Sequence, residues 1–143
     1  MVIRKICGAR SAGSWYKTGM STILVPIDFS EETPEVIECA AMLARRNRSQ
    51  LILMHVSHGS QEAEGDAADK LERLERYLRE EGFQVSVAVR AGEPARAIVE
   101  FGGSIGADCI IIGRHDHAGD AAAQSPTTTY VEQKAPCAVV AVP

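Results

Sequence analysis

Apolar residues along the chain fall into short runs that alternate with longer amphipathic stretches. Four runs of five or six residues are almost wholly apolar, which is typical of strands covered on both faces of a sheet. They are residues 22–27, 51–56, 109–113 and 137–142. A fifth run, residues 84–89, alternates valine with smaller or polar residues, so we expect an edge strand covered on one face.

Each interval between these runs is long enough for a helical crossover and carries a helical signal. The first, residues 31–48, begins with acidic residues, Glu32 among them, and ends with arginines, as the helix macrodipole favours. The second contains a leucine stripe at helical spacing, formed by Leu71, Leu74 and Leu78. Later helices are predicted to begin at Pro94 and at Pro126, with Ser125 as the N-cap of the last.

Five strands alternating with four helices predict an α/β fold, a doubly wound open sheet of five parallel strands. One polar stretch, residues 58–68, shows no helical stripe, and we expect a flexible connection there. Ligands of such sheets bind beyond the carboxyl ends of the strands, where the winding direction reverses. The candidate binding residues are therefore those at the carboxyl ends of the runs 22–27, 51–56 and 109–113.

The composition is typical of one soluble globular domain. The chain has 143 residues, of which 45% are hydrophobic and 24% charged, and no apolar run approaches the ~18–20 residues of a membrane helix. Its net charge of −4 conceals an asymmetry, because residues 1–19 carry four basic side chains and no acidic one. Taking these four from the 15 basic residues leaves 11 against 19 acidic ones, a net charge of −8. An acidic body argues against nucleic acid as a partner, and the composition argues against a membrane.

Residues 1–19 are basic, rich in glycine and serine, and without helical or strand periodicity. We therefore predict a basic flexible N-terminal extension over residues 1–19 and a domain over residues 20–143. Three interpretations of the extension stay open: an upstream start with Met20 as the natural one, a genuine flexible arm, and a targeting segment. The apolar core of a secretory signal is missing from it.

The four cysteines show neither C-x-x-C spacing nor a zinc-ribbon pattern, and three of them lie in apolar surroundings. They are Cys7, Cys39, Cys109 and Cys137. We expect buried, reduced thiols, and hence a cytoplasmic protein.

Five segments together resemble the universal stress protein family in order and spacing. They are ILVPIDFSEET, LILMHV, the helix start at Gly92-Glu93-Pro94, ADCIIIG and YVEQKAPCAVVAV, within residues 21–143. Each motif is weak alone, but five in register identify the chain as similar to that family. The resemblance implies an adenine-nucleotide alpha-hydrolase-like sheet with strand order 3-2-1-4-5, and a homodimer built through the last strand.

The last apolar run gives an independent reason to expect a homodimer. It has no lysine, and the chain ends there without a covering element, so it would form an unprotected edge that normally pairs with another strand. The expected dimer interface consists of Ala138, Val139, Val140, Ala141 and Val142.

Nucleotide-binding members of the family imply where ATP or AMP would sit. Asp28 matches the aspartate that contacts the nucleoside, Val56 the adenine-contacting position, and Gly113 the first glycine of a G-x2-G-x9-G-S/T loop. The candidate nucleotide-binding residues are Pro26, Ile27, Asp28, Val56, Gly113, Arg114, Ser125, Thr127 and Thr128. Asp28 equally fits a turn residue before a helix, and Gly113 a tight turn after a buried strand.

The loop departs from the family pattern at two positions. Asp116 stands at the second glycine, and Ser125-Pro126 at the closing Gly-Ser, with the loop about one residue short. Asp116 adds a like charge beside a phosphate, and Pro126 removes a backbone N–H donor. Each change is expected to cost about 1–3 kcal/mol of phosphate affinity, offset in part by neighbouring guanidinium and hydroxyl groups.

Other kinds of site find little support. All four histidines, His55, His58, His115 and His117, lie at or just beyond the carboxyl ends of the runs 51–56 and 109–113. Those strand ends would lie about 10 Å apart, so we expect no metal site. The chain has no G-x-S-x-G, Walker or G-x-G-x-x-G motif, and Lys70 and Lys134 are expected away from the site, so we expect no enzyme.

The sequence thus favours a non-catalytic, dimeric stress-response protein that binds an unidentified protein partner and requires no cofactor. The alternative is a nucleotide-charged switch with the same fold. In that alternative Asp28, Val56 and Gly113 hold the nucleoside of ATP or AMP. Its phosphates would be bound by Arg114, Ser125 and Thr127.

Overall fold

Strands and helices alternate in the computed structural model, which describes residues 2–5, 21–57, 61–115 and 124–143, with side chains for residues 21–57, 65–115 and 124–143. The strands are β1 (Val2–Lys5), β2 (Thr22–Pro26), β3 (Gln50–Ser57), β4 (Val85–Ala91), β5 (Cys109–Gly113) and β6 (Ala138–Val142). The helices are α1 (Thr33–Asn47), α2 (Gln61–Glu80), α3 (Pro94–Ser104) and α4 (Pro126–Lys134).

The five parallel strands form one sheet in the predicted order. They run β4, β3, β2, β5, β6 across the sheet, that is, third, second, first, fourth and fifth of the predicted strands. The α/β doubly wound fold is therefore confirmed. The chain winds outward from β2 to β4 and then crosses back to β5 and β6, so the winding reverses between β2 and β5.

Each face of the sheet is covered by its own pair of helices, because alternate residues of a strand point to opposite faces. Ile23 and Val25 of β2 belong to a buried cluster with α1 and α2, whereas Leu24 belongs to a cluster with α3 and α4. The central strands are buried on both faces, as their apolar sequences predicted. In the edge strand β4 Val85 is buried and Ser86 is exposed, as the alternation predicted, but Val89, on the same face as Val85, is exposed.

A sixth strand lies beside the five that the sequence predicted. β1 pairs antiparallel with β6, with Val2 opposite Ala141 and Ile3 opposite Val140. The expectation that β6 forms an unprotected edge is therefore wrong for this chain. Free peptide groups of an edge strand pair with any extended segment within reach, including one of the same chain. The division into residues 1–19 and 20–143 stays a prediction, and Cys7 lies outside the described residues.

The helix starts confirm two sequence signals and correct one. Ser125 is the N-cap of α4, and its side chain accepts the N–H of Thr128, while α3 starts at Pro94 as predicted. The polar stretch over residues 58–68 is not wholly a flexible connection, because α2 starts at Gln61. Its glutamate and alanine residues favour helix without an apolar stripe. No helix in the described part of the chain is long and apolar enough to cross a membrane.

Candidate functional site

The carboxyl end of β2 presents a carboxylate to solvent. Ile27 is buried, and its N–H donates to the Met54 carbonyl oxygen of β3 at 2.7 Å. Asp28 follows and is exposed, with Oδ1 accepting the N–H of Ser30 at 2.9 Å. Asp28 therefore stabilises a local turn, which is one of the two roles that its sequence context suggested. Pro26 at the strand end is partly exposed, so Pro26 and Asp28 border the crevice while Ile27 lies below it.

Phe29 brings a lysine to the same edge of the sheet. Its φ of 58° lies in the left-handed region that bulky residues rarely adopt, which nothing in the residue type predicted. The Lys70 Nζ lies 5.3 Å from the centroid of the Phe29 ring and forms an exposed pair with Asp66 at 3.1 Å. The expectation that Lys70 lies away from the site is therefore wrong. Since α2 begins beside the carboxyl end of β3 and Lys70 lies in its first half, the ammonium group reaches the end of β2.

His55 ties the end of β3 to the end of β2. Its Nδ1 lies 3.0 Å from the Ile27 carbonyl oxygen, and its ring lies 5.4 Å from the Phe29 ring. Because a carbonyl oxygen only accepts, Nδ1 carries the proton in this contact. Val56, the proposed adenine-contacting position, is buried in the cluster beneath. His55 therefore has a structural partner at this edge.

The hydroxyl groups at the start of α4 are committed to internal hydrogen bonds. Ser125 Oγ accepts the Thr128 N–H at 3.0 Å, and Thr128 Oγ1 donates to the Gly113 carbonyl oxygen at 2.7 Å. The two oxygens lie 3.0 Å from each other, and the residues are 3% and 1% exposed. Of the three hydroxyl residues proposed for the site, Thr127 is the one that is partly exposed. Ser125 and Thr128 thus fasten α4 to β5.

Glu32 reaches across from α1 to the end of β5. Its Oε2 accepts the N–H of His115 at 3.1 Å, although the two residues are 83 positions apart. The same oxygen lies against Gly113, so closely that a Cβ placed on this glycine would be 2.5 Å from it. The sequence placed Glu32 among the acids that complement the macrodipole, and no signal connected it to the loop after β5. Its carboxylate lies where the winding of the sheet reverses.

Arg114 joins three elements through its backbone. Its N–H donates to the Val142 carbonyl oxygen of β6, and its own carbonyl oxygen accepts the Ser125 N–H, both at 2.8 Å. The side chain is partly buried, and among the described residues its Nε has no hydrogen-bond partner. A guanidinium in this position suits an anionic acceptor. Asp116, the expected like charge, lies outside the described residues.

Thiol and metal chemistry receive no support from the described residues. Cys39, Cys109 and Cys137, the cysteines in the described part of the chain, take part in no disulfide. Burial, the largest cause, raises the pKa of the Cys109 thiol to about 12, so the thiol stays protonated at neutral pH. Within the described ranges no three His, Cys, Asp or Glu side chains form a group that could hold a metal ion. His58 and His117 lie outside those ranges.

A second concave surface lies between α1 and α2, away from the strand ends. This groove has a volume of about 730 Å³ and is lined by apolar side chains of both helices. Met42 and Tyr77 stand on it and are 43% and 57% exposed. Arg45 lies over the Phe83 ring, 5.0 Å from its centroid. The groove therefore combines apolar area with charged borders.

Comparison with known proteins identifies relatives over nearly the whole chain. A family model described as the universal stress protein family matches residues 20–143. The universal stress protein Sll1654 of Synechocystis is 27% identical over 135 residues, which cover 85% of this chain and 85% of that protein.

Solved structures show the same fold. The universal stress protein UspA from Lactobacillus plantarum matches with a TM-score of 0.75 and 20% identity, over 86% of this chain and 97% of that one. The universal stress protein from Archaeoglobus fulgidus in complex with dAMP matches with a TM-score of 0.71 and 23% identity, over 86% and 98% of the two chains. At these identities the structural likeness concerns the fold.

Proposed function

The chain belongs to the universal stress protein family, and from that premise we propose that it is a non-catalytic homodimer that acts in a stress response by binding a protein partner. The observation that carries this proposal is the contact between Glu32 and His115 at 3.1 Å. A carboxylate on this N–H repels a phosphate that would use the same donor. Together with the internal bonds of Ser125 and Thr128, it argues against a tightly bound nucleotide as the main ligand.

Binding of a protein partner is supported by the groove between α1 and α2. A concave apolar surface with a polar rim commonly marks an interaction site. Met42 and Tyr77 supply exposed apolar area in this groove. The charged borders of the groove, Glu38, Arg45, Arg46 and Glu81, supply the polar rim that protein interfaces have.

The alternative function is that of a switch charged with ATP or AMP. It is favoured by the exposed carboxylate of Asp28, by Lys70 near the same edge, and by the buried Nε of Arg114. In this alternative Asp28, Val56 and Gly113 contact the nucleoside. The phosphates would then meet Arg114, Thr127 and Ser125, the last only after its hydrogen bonds rearrange.

Thermal unfolding with and without millimolar ATP and Mg²⁺ separates the two functions. A ligand at 100 times its Kd stabilises a folded protein by about 2.7 kcal/mol, which raises the Tm of a chain of this size by several degrees. We expect a shift below one degree, roughly the resolution of such a measurement. A rise of several degrees would reject the main proposal in favour of the switch, and mass spectrometry of the natively purified protein would then identify the nucleotide.

The homodimer is proposed to form through β6, with Ala138–Val142 at its centre. β1 must leave β6 before a second copy can pair there, because an edge strand has one free side. A charge at Val140 would not test this, since Val140 is in the buried core. Proline at Ile3 weakens the pairing of β1 without changing β6.

Light scattering after size exclusion is the appropriate measurement of the dimer. We expect Ile3→Pro to raise the dimer fraction of the full chain, and a chain that starts at Met20 to be mainly dimeric. A shortened chain that stays monomeric while its circular dichroism shows it folded would reject β6 as the interface.

A further inference from the structure

The position of Glu32 suggests more than a weak nucleotide site. We propose that the Glu32 carboxylate is a built-in substitute for a phosphate, which holds the anion position at the end of β5 and thereby excludes phosphorylated ligands. This inference rests on the proposed function, in which the chain carries no tightly bound nucleotide. It attributes the lack of tight nucleotide binding to one side chain.

The geometry of the contact is that of an anion at a glycine-containing turn. The Glu32 Oε2 accepts a backbone N–H, that of His115, at 3.1 Å. It also lies on the side of Gly113 where other residues carry Cβ, since a Cβ there would be 2.5 Å away. Glycine permits such close approach of an anion to the backbone, and backbone N–H groups supply the attraction. The carboxylate uses the features that a phosphate oxygen would use.

The surroundings direct the Glu32 side chain towards β5 and away from its own helix. Glu32 is the N-cap residue of α1, but its side chain makes no capping hydrogen bond. Val36, one turn later, is buried, and its Cγ2 lies 3.5 Å from the same Cβ position on Gly113. α1 therefore packs against the end of β5 and delivers the carboxylate to it.

The consequence is a selectivity that depends on ligand charge. A phosphate must displace the carboxylate or lie beside it, and two like charges in contact oppose each other. An uncharged nucleoside that contacts Asp28 and Gly113 does not need the His115 N–H, and it carries no charge for the carboxylate to repel. Glu32 should therefore reduce affinity for ATP and inorganic phosphate and leave affinity for adenosine unchanged.

Calorimetric titration of ATP, inorganic phosphate and adenosine into the full chain and three variants tests the inference. Glu32→Ala vacates the position, and Glu32→Gln keeps the shape of the side chain but removes its charge. Glu31→Ala is the matched control, because Glu31 is the neighbouring acid, is exposed and carries the same charge. We expect Glu32→Ala to bind ATP at least about tenfold more tightly than the parent chain, a change of about 1.4 kcal/mol.

Glu32→Gln should show a smaller gain for ATP, and Glu31→Ala a change below about threefold, since exposed charges are screened by salt. Equal gains in Glu31→Ala and Glu32→Ala would overturn the inference, because net charge alone would then explain them. Failure of both Glu32 variants to bind ATP or phosphate would also overturn it, while leaving the proposed function intact. Tight ATP binding by the parent chain, unchanged in the variants, would reject both. Glu32→Gln carries the test if Glu32→Ala fails to fold.

Discussion

The ends of β2 and β5 lie side by side at the point where the sheet reverses its winding, yet the residues that follow them differ in exposure and in hydrogen bonding. After β2 the chain exposes Asp28, which makes a short local turn and keeps its carboxylate at the surface. After β5 the chain closes on itself, because Thr128 holds the Gly113 carbonyl oxygen and Glu32 holds the His115 N–H. The β2 side of the crevice exposes a carboxylate, whereas on the β5 side the His115 N–H and the Thr128 hydroxyl are bonded within the chain and the Arg114 Nε is, among the described residues, the buried side-chain donor that remains.

This difference shows how a fold can keep the location of a binding site without its chemistry. Doubly wound sheets place a crevice at the switch point whatever the residues there. Whether an anion binds depends on donors that are still unused, and buried donors seldom stay unused. At the end of β5 two donors, the Thr128 hydroxyl and the His115 N–H, are bonded within the chain. The site can therefore lose affinity for phosphate while the fold is retained.

Removing the Thr128 hydroxyl should make the β5 side of the crevice more like the β2 side. Thr128→Val keeps the shape of the side chain but leaves the Gly113 carbonyl oxygen and the Ser125 hydroxyl without this partner. Because Thr128 is buried, we expect a loss of about 2 kcal/mol in the free energy of unfolding, measured from urea transitions.

Thr129→Val is the matched control for that experiment. Thr129 lies on the same helix and is exposed, and its Oγ1 makes a longer bond of 3.2 Å to the Ser125 carbonyl oxygen. Its loss should stay within about 0.5 kcal/mol, as is usual for surface positions. Equal losses in the two variants would show that the buried hydroxyl does not close the β5 side.

Helices and strands whose signal lies within a short stretch of chain are predictable from the sequence. The β5 strand and the Ser125-Pro126 start of α4 were predicted at the residues where they occur, because apolar runs and capping residues act locally. The strand order came from the family resemblance. The fold was therefore predictable almost in full.

The missed contacts of the crevice and of β6 join residues that are distant along the chain. The partner of Glu32 lies 83 positions away, and Lys70 reaches Phe29 only because α2 passes the end of β2. Neither contact leaves a periodicity or a motif in the sequence. The pairing of β1 with β6 likewise depends on a four-residue strand, too short to show a pattern. Local signals therefore predict the helices and strands, whereas the chemistry of the crevice depends on how these elements are arranged in space.

A smaller effect on stability is expected when a side chain at Gly113 displaces the Glu32 carboxylate. In Gly113→Ala the new methyl group would meet the Glu32 carboxylate at 2.5 Å, and this flexible group must then leave the His115 N–H. Gly113 does not have a positive φ, so alanine brings no backbone strain. We expect Gly113→Ala to cost about 1 kcal/mol of unfolding free energy, the value of one hydrogen bond.

In a Glu32→Ala background the contact is gone and Val36 remains at an ordinary 3.5 Å, so the same change should be neutral or slightly stabilising. The four urea transitions of this cycle measure the coupling directly. Additive effects of the two substitutions would mean that the carboxylate does not rest on Gly113, and the end of β5 would then be as open as the end of β2.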